Sequence, residues 1–207
     1  MLAHSSKGLI GMLRPVVVRG TVVGLLSLLL ALGSAQAALV KRLDLPGLVG
    51  RAAVIGHGRV ASVRCLRVGG RIVSEITLSG DRILKGQPAA ELKFRVLGGE
   101  LDGLAQVVPG EPSFAVGEEA VVFLQHTADG ARVVGMSQGK WQVIGQMATQ
   151  RLDGLTFPEL IVGEAIERAP ERVNTRFETT LPVAALEAMI KAVVETPIGL
   201  TPNEVSR

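Results

Sequence analysis

A mainly β fold closed by one C-terminal helix is what this chain predicts, and three features predict it. Strand-like runs separated by glycine turns fill Arg51 to about Ile144. One of those runs alternates apolar and polar side chains without a break, and the hydrophobic period turns helical only after Pro182. A barrel and a β-sandwich are the two ways of closing such a set of strands.

The clearest strand is Ala90 to Val96, where Ala90, Leu92, Phe94 and Val96 alternate with Glu91, Lys93 and Arg95, which gives one wet face. Arg71 to Leu78 alternates less cleanly, with Ile72, Ile76 and Leu78 on one side. Ala120 to Leu124 is continuously apolar, as a strand buried on both faces must be. Ala131 to Met136 and Trp141 to Ile144 read as two further strands, with Asp129-Gly130 as the hairpin turn between Leu124 and Val133. Between the alternating strand and the buried one runs Gly98 to Gly117, rich in Gly and Pro, which reads as a long loop with one short strand in it. Loops of that length in compact domains are uncommon and often functional. After Pro182, residues Leu186, Met189, Ile190, Val193 and Val194 form one helical face that Pro197 ends. A short helix from Pro158 to Arg168 is expected within the weakly patterned stretch Gln146 to Thr180.

The first residues read as a cleavable secretory signal, Met1 to Ala37. Lys7, Arg14 and Arg19 precede the apolar run Thr21 to Leu32, and Ala35-Gln36-Ala37 supplies the small-residue cleavage site. Met12 offers a second start with a more compact basic region. The apolar run falls short of the roughly 20 residues of a spanning helix, and no Cys follows the cleavage site, which closes the lipoprotein route. The expectation is therefore a single bacterial exported domain, residues 38–207, periplasmic or secreted, with no membrane span after cleavage. The leader also holds three of the 22 basic residues and no acidic one, leaving 19 against 19 in the rest. A neutral domain gives no footing to a nucleic-acid partner. Cys65, the sole cysteine, excludes an internal disulfide and reads as a small buried apolar residue among Val63, Leu66 and Val68.

Two motifs invite chemistry and fail their context. Gly135-Met136-Ser137-Gln138-Gly139 matches the G-x-S-x-G nucleophile elbow, but a strand pattern follows Ser137 where a helix is required, and His4, His57 and His126 all precede it. Gly56-His57-Gly58-Arg59-Val60-Ala61 matches G-x-G-x-x-A with Glu75 in the ribose-binding position, yet the helix would run through β-branched residues with no later βα alternation. His57, His126 and Cys65 are too scattered for a zinc site. No catalytic, cofactor or metal residue is expected. Trp141 is read as core, with an exposed interface anchor as the alternative.

The order of several weak motifs carries a resemblance. Leu48-Val49-Gly50-Arg51-Ala52-Ala53-Val54-Ile55, then Gly58 to Val63 as G-x-V-x-x-V, then Ile83-Leu84-Lys85-Gly86 and Gly117-Glu118-Glu119 before Val121-Val122-Phe123-Leu124, resemble the tissue inhibitor of metalloproteinases (TIMP) and netrin-like domains. Uncharacterised bacterial exported proteins are similar at Gly98-Gly99, at Pro112 to Glu119 and at Gln138 to Trp141. The resemblance spans about Leu45 to Ile144 and implies a small OB-like, Greek-key β-barrel, five- or six-stranded, with the C-terminal helix laid against it. It also implies a metalloprotease as partner. The chain departs from the animal inhibitors at its expected mature terminus, Ala38-Leu39-Val40, where they place a disulfide-locked cysteine and where nothing in the sequence holds the amine. The resulting expectation is a non-enzymatic binding module, protease-binding in its finer form, with a structural cell-envelope component as the alternative and a Ser137 hydrolase behind it.

Overall fold

The computed structural model describes residues 38–157 and 178–196. The expected signal segment, Met1 to Ala37, and the helix expected from Pro158 to Arg168 lie outside them. The described chain is mainly β, with one short helix near its start and one at its C-terminal end.

The short helix, α1 (Leu45–Arg51), starts where Asp44 caps it, its Oδ1 accepting from Gly47 N at 2.8 Å. It stops where Lys85 reaches in and donates to the carbonyls of Val49, at 2.7 Å, and Ala52, at 2.6 Å, a cation satisfying the orphan acceptors of a helix C-terminus. Leu48 and Val49 face inward.

The longest strand, β2 (Val54–Val68), organises the sheet. Its first half, Val54 to Arg59, pairs antiparallel with β8 (Glu119–Thr127), and on its other edge Ile55 to His57 pair with β4 (Arg82–Lys85). Its second half pairs with β3 (Arg71–Ser79), the register shifting between Val60 and Ser62. The change of partner occurs beside Gly58, where a Cβ would lie 1.8 Å from Ser79 O. Only glycine lets the two backbones approach that closely. Strand β3 pairs with β5 (Glu91–Leu97), and β5 meets β9 (Gly130–Val133) at a single parallel register, Arg95 with Arg132. Strand β9 returns to β8 as a hairpin, Thr127 opposite Gly130. The pairings β2–β3–β5–β9–β8–β2 thus form a closed circuit.

Beyond β8 the sheet extends through β10 (Lys140–Ile144), β11 (Met147–Arg151) and β13 (Glu178–Pro182). A separate hairpin, β6 (Gly99–Leu101) and β7 (Leu104–Gln106), occupies the stretch expected as loop, so two short strands lie there, not one. Strand β1 (Ala38–Leu39) pairs parallel with β12 (Leu155–Thr156); Ala38 N donates to Gly154 O and Val40 N to Thr156 O, each at 3.0 Å. The Ala38-Leu39-Val40 segment is therefore held, contrary to the sequence reading.

Two cores flank β8. Ala120, Val122 and Leu124 join Val60, Ile76, Leu78 and Phe94 on one face. Val121 and Phe123 join α1 and α2 (Val183–Glu195) on the other. Burial on both faces explains the unbroken apolar run. Ala90 is exposed and lies outside β5, and β9 ends at Val133. On α2 the buried stripe is Leu186, Glu187 and Ile190, with Val193 half-buried. Met189 and Val194, expected on that face, are turned outward.

Candidate functional site

The structure places the residues of the two chemical motifs in a strand and in a turn. Gly56, His57 and Gly58 lie inside β2, where no helix N-terminus exists to receive a pyrophosphate. Ser137 sits in a 3-10 turn (Met136–Gly139) entered through Gly135 at φ 62° and Met136 at φ 61°, a left-handed pair in the excursion between β9 and the next strand, both of which run antiparallel to β8. Its backbone N donates to Gly110 O at 2.9 Å and its buried Oγ has no partner among the described residues. His126 is exposed near the end of β8. Cys65 is half-buried, with its Sγ 3.4 Å from Ser74 Oγ. Trp141 is in the core, as expected.

Buried His57 is the centre of a network, reaching out to the surface, that the sequence does not advertise. Its Nε2 lies 2.9 Å from Glu119 Oε1 and its Nδ1 2.6 Å from Glu187 Oε1. Arg82 donates to Glu187 Oε2 at 3.0 Å and also comes within 2.8 Å of Nδ1. Arg59 completes the row, 2.7 Å from Glu119 Oε2. The carboxylates sit on opposite ring nitrogens and cannot converge on one metal; among the described residues no group of three or more His, Cys, Asp or Glu side chains could hold one. What the row does is tie α2 to β2, β4 and β8. The partners are 62 and 130 residues from His57 in the chain. The one local signal is Glu187, an acid on the apolar stripe of its helix.

The arrangement with most to offer a partner is Gly98 to Gly117. Its start is fixed to β3: Gly98 N donates to Ile72 O at 2.9 Å, Ser74 Oγ to Gly98 O at 2.7 Å, and Ile72 N to the Gln106 side chain at 3.0 Å. Its middle takes the Ser137 N–H at Gly110 O. Glu111 there is half-buried, and burial holds its carboxyl above the usual range against the opposing Leu97 backbone and Arg132 charge. Its end is gripped by Lys140, whose Nζ donates to Ser113 O, lies 4.4 Å above the Phe114 ring and stands 2.5 Å from Glu118 Oε1. That last contact is a close ion pair without the alignment of a hydrogen bond. Burial pushes the Lys140 ammonium below its ordinary pKa despite Glu118. Phe114 then packs edge-on against Phe94 of the inner core, centroids 5.2 Å apart. Finally Gly117 N donates to Val60 O at 2.8 Å and Gly117 O accepts from Arg59 at 2.7 Å.

A segment so secured nevertheless turns three large apolar side chains outward: Leu104, 58% exposed, Val107, 87%, and Val116, 68%. Pro112 to Glu119 and Gln138 to Trp141, separate as sequence motifs, are one unit here, joined by Lys140.

No family model, curated protein or solved structure matches the chain.

Proposed function

We propose that the chain is an exported, non-enzymatic binding module on an OB-like Greek-key barrel, which engages a protein partner through Gly98 to Gly117. The observation that carries this reading is the combination of anchoring and exposure: the segment is held at its start, middle and end, yet Leu104, Val107 and Val116 face outward. A loop ordered before contact loses little further entropy on binding. Each apolar side chain fully covered by a partner contributes about 1.5–3 kcal/mol. The barrel reading is supported by the circuit β2–β3–β5–β9–β8–β2, with its single parallel join between β5 and β9. An exported metalloprotease is the finer proposal for the partner. It draws on the resemblance and on the fixed position of Ala38, whose N–H bonds Gly154 O.

The test is capture from the host's envelope and secreted fractions with the unmodified chain and with a Leu104→Ser, Val107→Ser, Val116→Ser variant. Recovery of one exported protein by the first and its loss with the second is the expected result. Equal recovery by both overturns the assignment of the surface. A captured protease whose activity is unchanged by saturating amounts of the chain overturns inhibition.

A further inference from the structure

A row of charges crosses the outer face of the sheet on four strands. Arg64 on β2 stands opposite Glu75 on β3, Glu75 opposite Arg95 on β5, and Arg95 opposite Arg132 on β9. All four point away from the inner core, because the residues that alternate with them, Val63, Ile76, Phe94 and Val133, pack into it. Glu75 bridges its two neighbours, Arg64 donating to Oε1 at 2.9 Å and Arg95 to Oε2 at 3.0 Å, and the Arg95 and Arg64 guanidinium groups hold its carboxyl below the usual range. No such bridge joins the other end of the row. Arg95 and Arg132 are like charges on strands about 4.8 Å apart, a juxtaposition that costs stability. Arg132 is half-buried, feels the Glu111 carboxyl from a distance and makes no ion pair among the described residues. Lys93, 65% exposed, stands on the same face beside Glu91. Together these positions set four basic side chains against two acidic ones, whereas the chain after the expected leader is balanced at 19 against 19.

We propose that this face binds an acidic polypeptide segment, one of whose carboxylates sits between Arg95 and Arg132 as Glu75 sits between Arg64 and Arg95. Of the N–H donors on its guanidinium fork, Arg95 commits three, two to Glu75 and one to the Asp129 carbonyl at 3.3 Å, and Arg132 commits none among the described residues. Carboxylates match that fork, and Arg95 is already held in place by Glu75, so it loses little side-chain freedom on binding. The rest of the face disfavours other polyanions. Among the described residues Trp141, Phe94, Phe123 and Phe157 are buried and Phe114 lies under Lys140, so no aromatic surface is offered to the bases of a single strand or to sugar rings. The apolar residues of the next row, Leu66, Val73 and Leu97, are buried or half-buried, which leaves nothing to insert into a lipid surface. The face shares no residue with Gly98 to Gly117, so its failure would leave the binding-module proposal standing.

The probe is a blocked octaglutamate peptide titrated at low ionic strength into the full ¹⁵N-labelled chain, with the arginine Nε–Hε cross-peaks read one by one so that binding at this face is separated from binding to basic residues elsewhere. The expected result is a saturable movement of the Arg95 and Arg132 cross-peaks that octaglutamine does not produce. Arg132→Gln should weaken the binding read at Arg95 about two- to fivefold, as the loss of one exposed ion pair implies. Arg151→Gln, which removes the same charge from β11, should leave it unchanged. Stationary Arg95 and Arg132 cross-peaks overturn the site. An affinity lowered no more by Arg132→Gln than by Arg151→Gln overturns the role of Arg132. Octagalacturonate, an acidic sugar chain of equal carboxylate count, bound at these cross-peaks as tightly as octaglutamate overturns the assignment to a polypeptide.

Discussion

Replacing Lys140 with Met keeps an unbranched side chain up to the position of Cε and removes the ammonium, which isolates what that group does. In the native chain that group donates to Ser113 O, faces the Phe114 ring and pairs with Glu118 at 2.5 Å. Side-chain exposures of 14% for Lys140 and 9% for Glu118 make this a largely, though not fully, buried pair. Breaking such a pair from one side leaves an uncompensated charge and costs about 3–5 kcal/mol, a large share of the roughly 5–15 kcal/mol that stabilises a typical domain. With a urea slope of about 1–3 kcal/mol/M, the midpoint should fall by 1 M or more. The double variant Lys140→Met, Glu118→Gln should recover part of the loss, because the stranded carboxylate is gone. Urea unfolding of both singles and the double, combined as a cycle, measures the coupling. The pH profile supplies an independent check. Burial depresses the folded pKa of Lys140 below 10.5, the unfolded chain therefore binds this proton more tightly, and the group adds stability as pH climbs from the depressed value toward 10.5. Lys140→Met should erase that rise. A loss under about 1 kcal/mol, the scale of an exposed ion pair, with no change in the alkaline slope, would refute the account of Lys140 as the clamp on the loop.

Two glycines should respond oppositely to alanine. Gly58→Ala drives a Cβ to within 1.8 Å of Ser79 O, so β2 and β3 must part by more than an ångström and stability should fall by about 3 kcal/mol, at the upper end for overpacking; Gly50→Ala, in α1 with nothing within 4 Å of the new methyl, should raise it by about 0.5–1 kcal/mol. Thermal unfolding of the two variants side by side checks both signs. Glu111 gives a pH dependence of the other sense: its folded pKa is raised above 4.5 by burial, so the folded state holds the proton longer and this group's contribution falls as pH rises from 4.5 through the folded value. Glu111→Gln should flatten that segment of the stability profile and be more stable than the parent at neutral pH; a profile that keeps its slope would show the carboxyl to be well solvated.

Elements whose burial is simple were legible. Strand β5 shows its one dry face as alternation, and β8 shows two dry faces as an unbroken apolar run. Strands β11 and β13, Met147–Arg151 and Glu178–Pro182, were not legible, because they are short and mostly polar and owe their form to ladder bonds with each other and with β10. The helix was found but its face was misjudged, since Met189 and Val194 match the apolar period as well as the true stripe does. Only tertiary contact explains why Glu187 is inside: it meets His57 and Arg82 there. Gly98 to Gly117 stood out by its Gly and Pro content, whereas its anchors are backbone carbonyls and a lysine from β10 that no local pattern predicts. The closed circuit of pairings depends on one contact, Arg95 with Arg132, between strands with no sequence relation.

The placement of β8 between two unlike cores has a further consequence for how the chain reaches its native state. Its small and medium residues, Ala120, Val122 and Leu124, serve one side, while Val121 and Phe123 serve the side completed by α2. A slip of one position would exchange the two sets and force Phe123 into space shaped for smaller neighbours. Because β2, β9 and β10 all read their register from this one strand, an error there would propagate to three ladders at once. The outer side that rejects such a slip is finished only when Leu186 and Ile190 arrive on α2. An element far along the chain thereby secures the register of a strand that lies well before it in the sequence.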